Sequence, residues 1–309
     1  MKAPRLNIMV IGAGAMGSLF GGRLALAGHN VTLIEVWQEH IDAINSQGLT
    51  LDLVGETYVA HCVAARPEDF TGPIDFAILF TKSYQSRAAL AAVGQAIQAD
   101  TPMLTLQNGL GNVETIAEWL AHDQIIAGTT TFPSVLEGPG KIASPGAGKT
   151  RIMTASGRRT QSLERIASTL DQAGLHCEID ENVEATIWEK IAFNAALNTL
   201  TTVARAPVKV IADSDHGRDL AGKVVEEVLS VARAQGIPVN GAAVAASVEM
   251  ALRDHREHKP SMLQDLLAGR RTEIDSINGA VVRQAAQLNI TVPVTETLWR
   301  LVKLIESHG

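Results

Sequence analysis

The chain has 309 residues, of which 46% are hydrophobic and 4% aromatic, and its formal net charge at pH 7 is −7. This length allows two domains. The hydrophobic content allows a substantial packed core, which argues against wholesale disorder. The negative charge and the lack of a basic run argue against a nucleic-acid-binding or anionic-membrane-binding protein. Cys62 and Cys177 form neither a metal-ligand spacing nor a disulfide framework. We therefore expect a cytoplasmic protein without a metal site.

The chain begins with a predicted strand and a glycine-rich turn. Apart from Asn7, residues 6–11 form an apolar run, as expected for a strand buried on both faces of a parallel sheet. The run is too short to span a bilayer, which argues against a signal peptide or anchor. Residues 18–27 favour a helix that ends at Gly28. The turn between them consists of Gly12, Ala13, Gly14, Ala15, Met16 and Gly17.

This turn has the pattern of a dinucleotide-binding motif. Gly12 permits a tight exit from the strand, Gly14 lets the backbone approach a pyrophosphate, and Gly17 allows close packing of helix on strand. The helix N-terminus offers unpaired N–H groups to the phosphates. Glu35 stands 21 residues after Gly14, at the end of the next predicted strand, which completes the pattern. The alternative interpretation is a purely structural strand–helix turn.

Glu35 bears on the choice of cofactor. A carboxylate at this position accepts hydrogen bonds from ribose hydroxyls and repels a 2′-phosphate, so it favours NAD. Lys82, in the polar turn after a later strand, would favour NADP if its ammonium reached that phosphate. A third interpretation makes Glu35 a solvated strand end.

Further strands are predicted at 76–80 and 103–106, each followed by a polar turn. The alternation of strands and helices predicts a doubly wound parallel sheet of the Rossmann type, with ligands at the carboxyl ends of the strands. Between residues 128 and 155, glycines and prolines separate short β-type segments, which predicts antiparallel strands that close this sheet. A helix over 162–173 and a strand over 177–179 complete a dinucleotide-binding domain over residues 1–180. An all-helical substrate domain is expected over 181–309.

In the helical half, Lys190, Asn194 and Asn198 recur at intervals of four and share one helix face. Asparagine is a poor helix former, so its repetition on the lysine face needs an explanation. One explanation is a solvated polar face. The other is a site in a half-buried position, since the neighbouring residues are mostly apolar.

A third group of polar residues follows. Ser261 is predicted to cap a short helix that ends at Gly269. Thr272 and Asp275 have capping-box spacing for the next helix, which places Glu273 in its first turn. The helix dipole alone favours a carboxylate there, so Glu273 taken singly has a purely structural interpretation.

In order and spacing, these motifs resemble those of the ketopantoate reductases (2-dehydropantoate 2-reductases) over essentially the whole chain. The glycine motif is joined by the turns 81–82 and 107–109. The helix 188–198 and the segments 261–265 and 272–279 complete the match.

The resemblance implies a reduction of ketopantoate to (R)-pantoate, usually with NADPH, on the route to pantothenate and coenzyme A. It implies that Lys190 is the general acid and that Glu273 assists at the same carbonyl. Substrate-binding positions are implied at Asn108, Asn194, Asn198 and Ser261. The glycine motif, Glu35, Lys82 and Asn108 are implied for the cofactor.

Two departures keep alternatives open. Glu35 and Val36 stand where many members have an arginine for the 2′-phosphate, and Ile142-Ala143-Ser144-Pro145 replaces a segment that often carries histidine. An NAD-dependent D-2-hydroxyacid dehydrogenase acting on another branched or aromatic 2-keto acid is the second hypothesis. A non-catalytic dinucleotide-binding sensor is the third. The expected partner is a small 2-keto acid, and the protein is expected to be a monomer or homodimer.

Overall fold

The computed structural model describes residues 4–308. The chain forms two compact units. The first runs up to Gln107 and resumes over Asn112–Val183, and the second consists of Asn108–Gly111 and the chain from Glu184 onward. Within residues 4–308, no helix combines the length and the apolar character needed to cross a membrane.

The strands all belong to the first unit. In chain order they are β1 (Asn7–Ile11), β2 (Asn30–Ile34), β3 (Leu49–Leu53), β4 (Glu56–Ala60), β5 (Val63–Ala65), β6 (Phe76–Leu79), β7 (Met103–Thr105), β8 (Ile125–Thr130), β9 (Val135–Gly138), β10 (Lys141–Ser144), β11 (Thr150–Thr154) and β12 (Cys177–Ile179). Its helices are α1 (Ala15–Leu26), α2 (Gln38–Gln47), α3 (Ser86–Val93), α4 (Asn112–Ile116) and α5 (Gln161–Leu170). Short 3₁₀ turns cover Pro67–Asp69 and Ser83–Gln85, and a kinked turn with Gly174 at φ +72° covers Asp171–Leu175.

The main sheet confirms the predicted α/β fold. Its order is β12-β11-β8-β7-β6-β1-β2-β5, and its pairs are parallel except for β8 with β11. Ile11 pairs with Ile34 on one side and with Leu79 on the other. The chain therefore reverses its direction of winding between β1 and β6, and the turns after β1, β2 and β6 lie at one edge of the sheet.

The glycine- and proline-punctuated region differs from the prediction. Only β8 and β11 join the main sheet, whereas β9 and β10 pair with β3 and β4 in a separate four-stranded sheet. In β3, buried and half-buried residues alternate, as in a sheet with one covered face. A Cβ at Gly22 of α1 would lie 2.6 Å from Leu51 Cδ2, so the absence of a side chain there lets β3 pack on α1.

The second unit is helical, as predicted. Its helices are α6 (Val183–Ala204), α7 (Lys209–Ala212), α8 (Asp215–Ala234), α9 (Gly241–Asp254), α10 (Ser261–Leu267), α11 (Asn278–Gln287) and α12 (Pro293–Glu306). The core gathers around α6, where Ala192, Ala195 and Ala196 are fully buried. Small residues on α6 allow the neighbouring helices to approach its backbone closely.

Candidate active site

The glycine turn after β1 combines two sterically required glycines with one that leaves open space. Gly12 has φ +93°, and a Cβ there would lie 2.8 Å from the backbone nitrogen of Thr81. A Cβ at Gly17 would lie 1.9 Å from the carbonyl oxygen of Gly12. Gly14 is the N-cap residue of α1 and is exposed, and a Cβ there would meet nothing within 4 Å. The backbone at the start of α1 is therefore accessible to a ligand.

Glu35 is bonded to this turn rather than freely solvated. Its carboxylate accepts hydrogen bonds from the backbone N–H groups of Ala13 (2.9 Å), Val36 (2.7 Å) and Trp37 (3.1 Å). Three N–H donors hold the carboxylate at the end of β2, directly beside the glycine turn. A fixed negative charge therefore lies at the end of β2, beside the glycine turn.

A buried hydrogen-bond chain supports the turn from behind. Ser18 Oγ donates to the carbonyl oxygen of Ala13 (2.7 Å) and lies 3.3 Å from His40 Nε2. His40 Nδ1 accepts from the backbone N–H of Gly140 (2.9 Å), so the neutral tautomer with a proton on Nε2 fits both contacts. Burial lowers the pKa of His40. Neither Ser18 nor His40 is among the predicted site residues. The helical spacing of His40 and the buried Ile44 was the available signal.

The polar turns after β6 and β7 lie at the same edge. Lys82 is half-buried and precedes the 3₁₀ turn, where its carbonyl oxygen accepts from the Gln85 N–H (2.8 Å). Gln107 Nε2 donates to Ser86 Oγ (2.8 Å), and its Oε1 accepts from Thr105 Oγ1 (2.9 Å). These bonds fasten the two turns to each other beside the glycine motif.

In the second unit, the lysine stripe lies in a largely buried position. Lys190 and Asn194 are half-buried, and Asn198 is buried. Burial lowers the pKa of Lys190 to about 8, and the negative charge of Glu273 acts in the opposite direction. The stripe is therefore not a solvated polar face, and it places an ammonium next to a carboxylate.

Glu273 lies in a turn before α11, and the predicted capping box is wrong. The helix starts only at Asn278, its N-cap is Ile277, and Glu273 is buried. Asp275 instead accepts from Trp299 Nε1 (3.0 Å) and Lys303 Nζ (2.9 Å). Asp275 is thus bonded to α12 and does not form the predicted cap at the start of α11.

The segment that carries Asn108 is attached to this same turn. The N–H of Leu110 donates to the carbonyl oxygen of Ser276 (2.8 Å), and the N–H of Ser276 donates to that of Glu273 (3.1 Å). Gly109 has φ +88°, and a Cβ there would lie 2.3 Å from the Ser276 carbonyl oxygen. The structure thus brings Asn108 and Glu273 onto two bonded segments of the second unit.

Ser261 does not cap a helix as expected. It is the exposed first residue of α10, whose N-cap is Pro260 and whose end is followed by Gly269 with φ +65°. Proline fixes the extended conformation needed before the helix, so no serine cap is used.

In the segment 142–145, which departs from the family pattern, Ser144 Oγ donates to the carbonyl oxygen of Pro133 (2.7 Å) and fastens β10 to the loop after β8. Among residues 4–308, no group of three or more His, Cys, Asp and Glu side chains is arranged to hold a metal ion.

Comparison with known proteins gives full-length matches. The family model described as ketopantoate reductase PanE/ApbA matches residues 8–157, and the model of the PanE/ApbA C-terminal domain matches residues 182–306. A 2-dehydropantoate 2-reductase of Pyrococcus horikoshii is 37% identical, with 98% of this chain and 99% of that enzyme covered.

Solved structures match over the same length. A ternary complex of D-mandelate dehydrogenase with NADH and anilino(oxo)acetate superposes with a TM-score of 0.93 at 30% identity, covering 98% of this chain and 99% of that one. A PanE/ApbA family ketopantoate reductase from Ralstonia eutropha JMP134 superposes with a TM-score of 0.90, also at 30% identity and with the same coverage.

Proposed function

Because the chain belongs to the ketopantoate reductase (PanE/ApbA) family, we propose that it reduces the carbonyl group of a 2-keto acid with a nicotinamide cofactor. Ketopantoate is the leading substrate and (R)-pantoate its product. The observation that carries this proposal is the pairing of Lys190 with Glu273. A lysine whose pKa lies near 8 is a suitable proton donor at neutral pH.

Lys190 is proposed as the general acid. A reduced nicotinamide cofactor, when bound, supplies hydride to the carbonyl carbon. As the carbonyl π electrons move onto oxygen, the Lys190 ammonium neutralises the growing charge and transfers its proton to that oxygen. Glu273 counters the effect of burial on Lys190. It therefore keeps the ammonium protonated until it is used.

The amide side chains are proposed to hold the substrate. Asn194 and Asn198 lie one and two helical turns beyond Lys190 on the same face of α6. Amides offer both donors and acceptors, so they suit a substrate that carries a hydroxyl and a carboxylate. Asn108, on the segment bonded to the Glu273 turn, and Ser261 complete the proposed set.

The first unit is proposed to bind the cofactor. The open backbone at Gly14, at the N-terminus of α1, fits a pyrophosphate, because a Cβ at Gly14 would meet no atom within 4 Å. Glu35 favours NADH, since its fixed carboxylate suits ribose hydroxyls and repels a 2′-phosphate. Lys82 supports the alternative, NADPH, as a cation on the neighbouring turn.

A second candidate function follows from the comparison with D-mandelate dehydrogenase, which was solved with NADH. We propose as the alternative an NAD-dependent D-2-hydroxyacid dehydrogenase that acts on an aromatic or branched 2-keto acid. Both functions use Lys190 and Glu273 in the same roles, so only the substrate side chain and the cofactor separate them.

Initial rates of cofactor oxidation test both functions. Purified protein is assayed with ketopantoate, benzoylformate and 3-methyl-2-oxobutanoate, each with NADH and with NADPH. A kcat/KM with ketopantoate above about 10⁴ M⁻¹s⁻¹ supports the leading function, and a higher value with another acid supports the second. Lys190→Ala protein serves as the control for contaminating reductases. Cofactor binding without turnover of any acid would favour the non-catalytic sensor.

A further inference from the structure

Glu306, the last residue of α12, is tied to the segment that carries Glu273. Its side chain is only 12% exposed. One carboxylate oxygen, Oε1, accepts hydrogen bonds from both the backbone N–H of Thr272 (2.7 Å) and its hydroxyl (2.7 Å). The other oxygen, Oε2, accepts from Lys303 Nζ (3.1 Å). A nearly buried carboxylate with three donors is a fixed group rather than a flexible chain end.

These bonds reach the backbone on both sides of Glu273. The hydroxyl of Thr272 that donates to Glu306 also accepts from the backbone N–H of Ile274 (3.2 Å). The backbone N–H of Thr272, before Glu273, thus donates to Glu306, and the backbone N–H of Ile274, after Glu273, donates to the Thr272 hydroxyl. Within the turn, the carbonyl oxygen of Glu273 accepts from the backbone N–H groups of Ser276 (3.1 Å) and Ile277 (3.1 Å). The N–H groups on either side of Glu273 are instead bonded through Thr272 and Glu306.

The surrounding charges fix α12 against the same turn. Lys303 bridges Glu306 and Asp275, and Asp275 also pairs with Arg271 (3.2 Å). Trp299 contributes its indole N–H to Asp275. About two turns of α12, from Trp299 to Glu306, therefore bond to residues 272 and 275, and Glu273 lies between those two attachment points.

We infer that Glu306 is a positioning residue that acts through Thr272 to hold the Glu273 carboxylate beside Lys190. This inference rests on the proposed function, in which Glu273 sustains the charge of the general acid. A purely structural role, in which Glu306 only docks the end of α12, would affect stability without changing how Lys190 titrates.

The decisive substitution is Glu306→Ala. We expect kcat to fall about 10- to 100-fold, because small displacements of catalytic groups have costs of that size. The KM for the cofactor should stay unchanged. The basic limb of the pH–rate profile should move to lower pH, because a displaced Glu273 no longer raises the pKa of Lys190.

Glu306→Gln separates positioning from charge. Glutamine keeps a carbonyl oxygen that can accept both Thr272 donors but loses the negative charge that faces Lys303. If Glu306 acts by position, Glu306→Gln retains most of the turnover and a basic limb near that of the wild type. If it acts on Lys190 through its charge, Glu306→Gln shifts the limb as far as Glu306→Ala does, which would overturn the inference.

The relay through Thr272 has its own matched pair. Thr272→Val removes the hydroxyl at nearly constant shape. Its pH–rate profile should show the same shift of the basic limb as that of Glu306→Ala, whereas Thr272→Ser should preserve the wild-type profile. Glu296→Ala is the control on α12, since Glu296 forms an ion pair with Arg300 that is largely exposed on both sides. It should leave turnover and the pH profile unchanged.

Hydrogen exchange of the segment 271–278 tests the inference without turnover. Faster exchange in Glu306→Ala, with protection elsewhere in the second unit retained, supports it. Wild-type exchange together with a wild-type pH profile overturns it. If the wild-type protein turns over no 2-keto acid, the proposed function fails, but exchange in this segment still reports whether Glu306 fixes the Glu273 turn.

Discussion

The carboxylate of Glu35 accepts a hydrogen bond from the backbone N–H of Ala13, 2.9 Å away, and so joins the end of β2 to the glycine turn. The same side chain that is proposed to choose between NADH and NADPH therefore also shapes the turn that would bind the pyrophosphate. Charge and geometry at this residue have to be separated by substitutions that change one of them at a time.

Glu35→Gln removes the charge and keeps a carbonyl oxygen for the Ala13 N–H. The ratio of kcat/KM for NADPH to that for NADH should rise about tenfold, the effect of about 1.4 kcal/mol of removed repulsion. Initial rates with both cofactors measure it. Glu39→Gln, at an exposed carboxylate in the first turn of α2, is the control and should leave the ratio as it is. An unchanged ratio in Glu35→Gln would mean that Glu35 does not select the cofactor.

Gly14 and Gly17 should differ sharply when each is replaced by alanine. Gly17→Ala places a methyl group against the Gly12 carbonyl, so the free energy of unfolding should fall by about 1–3 kcal/mol. Gly14→Ala meets open space at an ordinary φ of −63° and should leave stability unchanged. It should nevertheless raise the cofactor Kd about tenfold or more, because the methyl group occupies the approach of the pyrophosphate.

Denaturant unfolding and cofactor titration by fluorescence measure the two effects. Gly222→Ala, at an exposed position in α8 with open space around it, controls for the loss of a glycine. Wild-type cofactor affinity in Gly14→Ala would refute the proposed pyrophosphate site.

The predictable part of the fold is the part with local signals. Residues 8–11 are apolar throughout because β1 is buried on both faces, and Gly12 and Gly17 after it are required by short backbone contacts. The second sheet has no such signal. Its parallel pair joins Leu51 to Ile142, and only the folded chain brings such distant residues together.

The same distinction holds for the candidate site. The stripe from Lys190 to Asn198 follows from helical spacing alone, and the structure gives it the burial that lowers the pKa of the lysine. The bond between Thr272 and Glu306 spans 34 residues and has no periodic pattern behind it. Local spacing predicts a capping box at Thr272, but Thr272 instead bonds to a carboxylate of α12 that local spacing does not reveal.

Stability should depend on pH through His40. The folded-state pKa of His40 lies below its ordinary value of 6.5 because the ring is buried and uses Nδ1 as an acceptor. The unfolded chain therefore binds the proton more readily, and the free energy of unfolding should fall as pH drops below 6.5. His29 and His258, whose pKa values are also lowered by burial, contribute with the same sign.

A difference measurement isolates His40. His40→Asn should flatten the pH dependence of the unfolding free energy between pH 7 and 5, while its stability at pH 7 drops through the weakened bond to Ser18. His122→Asn, at an exposed histidine of the same unit, is the control. Parallel pH curves for His40→Asn and the wild type would show that His40 titrates alike in both states.

The proposed general acid predicts opposite pH dependences in the two reaction directions. Reduction needs the Lys190 ammonium, so its rate should be constant below a pKa of about 8 and fall above it. Oxidation of the hydroxy acid needs the free amine and should rise through the same pH range. Glu273→Gln should move both limbs to lower pH, since the carboxylate raises the pKa of Lys190.

Substitution of the lysine itself completes this test. Lys190→Met keeps most of the length of the side chain but removes the proton donor, so kcat should fall about 10²- to 10⁴-fold. Cofactor Kd should remain at the wild-type value, because the glycine turn, Glu35 and Lys82, which are proposed to hold the cofactor, belong to the first unit. Lys223→Met, at an exposed lysine of α8 that pairs with Asp219, is the matched control. If Lys190→Met retained wild-type turnover and its basic limb, the proton would have to come from another group, and the role proposed for Glu273 would fail with it.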